Sequence, residues 1–199
     1  FSETSLKNIN KINQDTKKFF DLKRILFGAI STHQEEEIFC AKIHADLKKK
    51  YINGVTIVIP RHVHRSSNIK EEIENIGLKV HLHSSKEKID SKTDIYLVDT
   101  FGETKLFIKI CNIVFLGGSL IHHGGQNPIE AARLGCKVIH GSNINNFLEV
   151  YDLLNKNKIS SKIKTVKQAK GIIQKNLNNK FSSKKIVKKL NSIGNKTLL

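Results

Sequence analysis

Proline is nearly absent from this chain: there are 2 in 199 residues, beside only 12 glycines, which excludes a collagen-like protein. The cysteines are 3, odd in number and far apart. Cys40, Cys111 and Cys136 sit among apolar residues, so neither a disulfide framework nor a Cys-x-x-Cys metal site is indicated, and they read as buried thiols of a reducing compartment. Aromatic residues make up 7% and none cluster with the lysines, so the stacking platforms of a nucleic-acid binder are missing. No apolar run approaches the roughly 18 to 20 residues of a membrane helix, and the opening FSETSLKNIN has no hydrophobic signal core. Phe1 in place of Met suggests a fragment or a processed chain.

What is present is a foldable composition. Hydrophobic residues at 39% and charged residues at 26% lie far from the range of disorder, and the length suits one domain or a small pair. Acids are scarce: 18 Asp and Glu against 34 Lys and Arg give a formal charge of +16. The excess is uneven, because residues 152–199 hold 13 Lys and the single acid Asp152, or +12, leaving +4 for the first 151 residues. Such a segment either attracts polyanions or is a solvated lysine face.

From Leu22 to Gly141 short β-branched runs alternate with amphipathic stretches, the pattern of a parallel sheet covered by helices. The runs are Ile25 to Ser31, Val55 to Pro60, Lys79 to Ser84, Asp94 to Asp99, Ile113 to Gly118 and Lys137 to Gly141, which predicts six strands. His81 and His83 alternate with Val80 and Leu82 as on an edge strand. Helices are predicted over Glu35 to Tyr51, Asn68 to Ile76, Glu103 to Ile110 and Pro128 to Leu134. Beyond Gly141 the spacing turns helical, at Val166, Ala169, Ile173, Leu177 and Phe181, then Ile186, Val187, Leu190 and Ile193.

Open parallel sheets bind ligands at the carboxyl ends of their strands. Those ends carry Ser31-Thr32-His33, then Pro60-Arg61-His62, then Asp99-Thr100-Phe101-Gly102-Glu103, and last Gly117-Gly118-Ser119 through Gly124-Gly125-Gln126-Asn127-Pro128-Ile129-Glu130. Asn127-Pro128 reads as an N-cap before a first-turn proline, aiming backbone N–H groups at an anion, although no Walker or GxGxxG spacing is present. Glu130 either closes a capping box or accepts from ribose hydroxyls. Arg61, with His62, His64 and Arg65 behind it, suits phosphate or a base, or is plain surface charge. Ser119 reads as a donor beside a phosphate, and His33 as a substrate contact or a satisfied loop histidine. The nine histidines lack zinc spacings and no G-x-S-x-G elbow exists, so neither a metal site nor a serine hydrolase is expected.

The ordered set Ser31-Thr32-His33 with Glu36-Glu37, Pro60-Arg61-His62 with Arg65, the Asp99 to Glu103 turn, Gly117 to Leu120 and Gly124 to Glu130 resembles the C-terminal half of the Kdo (3-deoxy-D-manno-octulosonic acid) transferases of lipopolysaccharide assembly. The resemblance runs from about Ile25 to Phe147, where Asn143 to Phe147 is similar to the family's Gly-Pro-x-x-x-Asn-Phe region without its proline. It implies a Rossmann-like α/β domain, the C-terminal domain of a GT-B glycosyltransferase, over 22–151, preceded by a leader from an N-terminal domain (1–21) and followed by a basic helical segment (152–199). It also implies that Pro60, Arg61, Phe101, Gly102, Glu103, Asn127, Pro128, Ile129 and Glu130 hold CMP. Ser31, Thr32, His33, His62, Gly118, Ser119, Gly124, Gly125 and Gln126 would lie near the phosphate or sugar. The implied donor is CMP-Kdo, the acceptor a lipid A precursor, with no cofactor or metal, and the place the cytoplasmic face of the bacterial inner membrane, met by the basic tail. The family's N-terminal acceptor domain supplies the catalytic carboxylate, so the chain alone is expected to be inactive. Another GT-B transferase or epimerase using UDP or GDP, or a basic nucleic-acid-binding module, is the alternative. Three positions depart from the family pattern: Glu35 replaces Gly, Gln126 replaces His, and Val63-His64 replace Pro-Glu.

Overall fold

The computed structural model describes residues 13–180. Seven parallel strands form one sheet: β1 (Arg24–Thr32), β2 (Gly54–Pro60), β3 (Val80–Leu82), β4 (Ile95–Leu97), β5 (Ile113–Leu116), β6 (Lys137–His140) and β7 (Ser160–Lys162), in the order β3-β4-β2-β1-β5-β6-β7. The six expected strands all form, with β3 at an edge, and β7 adds a seventh. Every residue of β2 is buried, as a central strand covered on both faces requires.

Helices α1 (Gln14–Leu22), α2 (Glu36–Lys48), α3 (Ser66–Glu74), α4 (Thr104–Ile110), α5 (Ile129–Arg133), α6 (Leu148–Lys156) and α7 (Val166–Asn176) cover the sheet. The period-2 alternation of the strands divides the core in two. Val58, Ile113, Phe115 and Ile139 face α2, α3 and α7 through Cys40, Ile43, Leu47, Ile69, Ile73, Ala169 and Ile173. Val55, Ile57, Ile59, Val114, Leu116 and Val138 face the other side, against Phe19, Phe107, Ala131 and Tyr151. Cys40, Cys111 and Cys136 are free and buried.

Two stretches differ from their sequence reading. The leader 1–21 contains most of α1, capped by Asn13 Oδ1 accepting from Thr16 N at 2.8 Å, because Phe19 and Phe20 pack on Tyr96. The boundary at 151/152 falls inside α6, and Ile163, Ala169, Ile173 and Leu177 share the first core cluster, so residues 152–180 continue the sheet domain. Phe181 and the run Ile186 to Ile193 lie outside the described residues.

β1 lies between β2 and β5, so the chain leaves it in one direction and returns on its other side. That reversal opens a crevice above the carboxyl ends of β1 and β5.

Candidate functional site

At the crevice the two strand ends touch. A Cβ on Gly117 would stand 2.2 Å from Ser31 O and 2.6 Å from Thr32 Cα, so only glycine fits. Gly141, after β6, is equally confined, 2.1 Å from the Ser119 carbonyl oxygen.

Around this junction the backbone closes on a carboxylate. Glu36, the first residue of α2, is 1% exposed. Its Oε2 accepts from His33 N at 3.0 Å and Gly118 N at 2.7 Å, and its Oε1 from Ser119 N at 3.0 Å and Leu120 N at 2.9 Å. Converging backbone donors of this kind bind phosphate in other proteins; here the chain's own side chain occupies them. Ser119 is buried too, its hydroxyl donating to Leu116 O at 2.6 Å and accepting from Gly141 N at 2.9 Å. Gly118 and Ser119, expected beside a phosphate or sugar, therefore turn these polar groups inward. Thr32 is likewise buried, and Ser31 takes a left-handed φ of 53°.

Imidazoles and guanidiniums gather on the rim. The His33 ring lies 4.3 Å from that of His123 and 5.7 Å from that of His62, and its buried Nε2 has no hydrogen-bond partner among the described residues. Burial, followed by the positive neighbours His123, His62, Arg61 and Arg65, lowers its pKa to about 4, so the ring is neutral at pH 7. Arg65 is held by buried Glu37 at 3.2 Å, whereas Arg61, anchored by its N donating to Thr32 O at 2.9 Å, has no ion-pair partner for its exposed guanidinium among the described residues. Pro60 is buried as the last residue of β2, and His62 is exposed.

The turn after β4 places Phe101 in solvent, 80% exposed, beside Gly102 at φ 85°. Glu103 precedes α4 and accepts from Thr100 Oγ1, with His83 Nε2 at 3.1 Å. After β5, Gly124 and Gly125 adopt φ of 85° and 77°, and the Gln126 carbonyl accepts from Tyr151 Oη at 2.9 Å. Asn127 Oδ1 accepts from Ile129 N at 3.0 Å as a capping residue would, and Pro128 is buried just before α5. Two expectations change here. α5 has only five residues, so its dipole is short, and Glu130 closes no capping box, reaching instead Lys105 Nζ at 3.4 Å. That pair joins the Phe101 to Glu103 turn's helix to the Asn127 to Glu130 segment. Among the described residues no three His, Cys, Asp or Glu side chains are arranged to hold a metal ion.

No family model matches the chain. It is 34% identical over 131 residues to 3-deoxy-D-manno-octulosonic acid transferase of Haemophilus influenzae, covering 66% of this chain and 31% of that protein. It is 37% identical over 121 residues to the probable mitochondrial enzyme of Arabidopsis thaliana, covering 60% and 27%, and 32% identical over 144 residues to that of Rickettsia conorii, covering 72% and 31%. The chain is related in sequence to the Kdo transferases. It spans about a third of the length of these curated relatives. The fold is that of the C-terminal CMP-Kdo binding domain of WaaA from Acinetobacter baumannii, a solved structure with a TM-score of 0.80 and 24% identity, covering 94% of this chain and 98% of that one. The architecture expected from the Kdo transferase resemblance, a Rossmann-like parallel α/β domain of the GT-B type, is therefore present.

Three residues with evident work at the rim carried no assigned role in the sequence reading. Glu36 belonged to a motif, and an acid at a helix start is a usable signal, but three of its four donors come from remote backbone and only His33 N lies near it in sequence. His83 was read only as part of an edge strand and His123 only among histidines without zinc spacing, since each meets its neighbour, Glu103 or His33, from far away in sequence.

Proposed function

We propose that this chain is the donor-binding part of a Kdo transferase, holding CMP-Kdo while its sugar passes to a lipid A precursor. The observation that carries the reading is the rim itself: Arg61, unpaired among the described residues, and a solvent-facing Phe101 stand at strand ends of a fold shared with a CMP-Kdo binding domain. An exposed phenyl ring offers a stacking face for a base, and a free guanidinium offers paired donors to a phosphate. In this reading Pro60, Arg61, Phe101 to Glu103 and Asn127 to Glu130 surround the nucleotide, with His33, His62, Gly124, Gly125 and Gln126 toward the phosphate and sugar. During transfer the acceptor hydroxyl gives its proton to a base and attacks the anomeric carbon, whose bond to the phosphate oxygen breaks, and CMP leaves. Arg61 eases that departure by neutralising the phosphate. The remaining two-thirds of the relatives' length has no counterpart in these 199 residues, so we infer that an acceptor-binding domain carrying the base completes the enzyme and that this chain alone does not turn over.

We also propose that the basic segment rests on the anionic cytoplasmic face of the inner membrane. In its support, a groove of about 1090 Å³ beside β7 is lined by Lys137, Lys158, Lys162, Lys167, Lys175 and Lys180 and by no acid.

Calorimetric titration with CMP, UMP and GMP at moderate salt tests the nucleotide reading, repeated with Arg61→Ala and Glu130→Ala. Selective CMP binding, weakened about tenfold or more in each variant, is the expected result. Absence of CMP binding, or equal binding of all three with both variants silent, would refute it.

A further inference from the structure

Most carboxylates on the rim are already engaged. Glu36 is saturated by backbone donors, Asp99 accepts from Ser84 N at 2.8 Å and Ser84 Oγ at 2.5 Å, Glu130 faces Lys105, and Glu37 is sealed from solvent. Glu103 differs. Its Oε2 is held by the Thr100 hydroxyl and by His83 Nε2, while Oε1 carries no hydrogen bond among the described residues and the side chain remains partly exposed beside Phe101.

The grip on Oε2 has a defined direction. Tyr96, 1% exposed on β4, lies with Oη 2.6 Å from His83 Nδ1 and 3.3 Å from Thr16 Oγ1. Burial pushes its phenol up to about 12, so it stays protonated and has a proton to offer Nδ1. With the phenol donating to Nδ1, Nε2 is the N–H that faces the Glu103 carboxylate at 3.1 Å. The His83 ring is also wedged against Phe107 at 5.3 Å, so it has one orientation to offer.

We propose that the Tyr96–His83 pair positions Glu103 so that its free Oε1 accepts an N–H from the exocyclic amine of the bound base, making Glu103 the residue that selects an amino base over a keto base. A carboxylate only accepts, so it attracts the cytosine N4 amine and repels the uracil O4 carbonyl at the same place. This rests on the donor-nucleotide reading above, with Phe101 stacking on the base that Glu103 reads. His83 and Tyr96 are positioning residues, acting through Glu103.

CMP and UMP, which differ at this one group, provide the test. Both are titrated into the wild-type chain and into Glu103→Gln, His83→Phe and His83→Gln, and the ratio of their affinities is read. The wild type should favour CMP by about tenfold or more, as expected for a hydrogen bond to a charged acceptor. Glu103→Gln should bring the ratio close to one, since a rotated amide donates to uracil as readily as it accepts from cytosine. His83→Phe keeps the ring but loses the donor, and the ratio should fall in the same way. His83→Gln should restore most of it, because its amide donates to Glu103 and accepts from Tyr96. A general weakening of the fold would lower both affinities and leave the ratio alone. A ratio unchanged in Glu103→Gln or His83→Phe overturns this inference while leaving the donor site standing, whereas failure of the wild type to bind either nucleotide overturns both.

Discussion

Replacing Glu36 by Gln changes one oxygen for an amide nitrogen and little in volume. In the wild type each carboxylate oxygen takes two backbone N–H groups, at 2.7 to 3.0 Å. Glutamine can serve only two of these donors and points its own N–H groups at the other two, in a site that is 1% exposed and closed to replacement water. Hydrogen bonds to a charged acceptor contribute about 1.5 to 3 kcal/mol each, so losing two, with some relief by rotation, should cost about 3 kcal/mol. For a domain of this size that corresponds to a fall in Tm of about 6 to 12 °C. Urea unfolding should show a lower midpoint at unchanged slope. Hydrogen exchange should speed up at the amides of Gly118, Ser119 and Leu120 ahead of the rest of the sheet. A variant within about 0.5 kcal/mol of the wild type, with unchanged exchange at those amides, would show that the cradle does not depend on the charge and would refute the reasoning.

Glu35 occupies a left-handed conformation at φ 75°, at a position where a side chain brings strain and glycine brings none. Glu35→Gly should therefore stabilise the chain by about 1 kcal/mol, raising Tm by about 2 to 4 °C in a thermal melt; a fall in Tm would show that the carboxylate has a role beyond its backbone. Asp94 makes a second, pH-dependent contribution. Its burial would raise its pKa, but this is outweighed by the His44 imidazole 3.5 Å away and by hydrogen bonds from Lys48 and the Lys79 N–H, which hold it at about 2. Because the folded value lies below the unfolded one, the contribution of about 2 kcal/mol is complete above pH ~4 and disappears as the pH falls toward 2. Urea midpoints measured from pH 6 to 2 should show this loss in the wild type and a flatter profile in Asp94→Asn, and parallel profiles would contradict it.

The parts of the fold that could be read in the sequence are those where hydrophobic burial selects the residues. The run from Val55 to Pro60 becomes the fully buried β2, and the stretch from Glu35 to Tyr51 becomes α2, shortened at both ends because Glu35 is left-handed and residues 49–52 turn. β7 escaped because Ser160-Ser161-Lys162 has no apolar run; it is a strand only because β6 offers it a hydrogen-bonding edge. The site was half legible for a similar reason. Turn chemistry around Phe101, Gly102, Gly124 and Asn127 is local: Asn127 Oδ1 accepts from the backbone N–H of Ile129 as expected of a cap, although Pro128 precedes α5 instead of opening it. Beyond His33 and Thr100, the partners of Glu36, Glu103 and Glu130 come from other elements, and no spacing rule reports a bond between residues that lie 20 to 84 positions apart.

Both rims of the sheet are three-residue strands, β3 and β7, the first carrying His81 and the second ending on Lys162. Short edges bearing polar side chains discourage the addition of a further strand. Among the described residues both edges of the sheet therefore resist growth in the plane, which leaves the loops above the strand ends as the face open to a partner. A contact made through loops can open and shut without breaking a ladder of hydrogen bonds, so the sheet keeps its fold intact whatever meets that face.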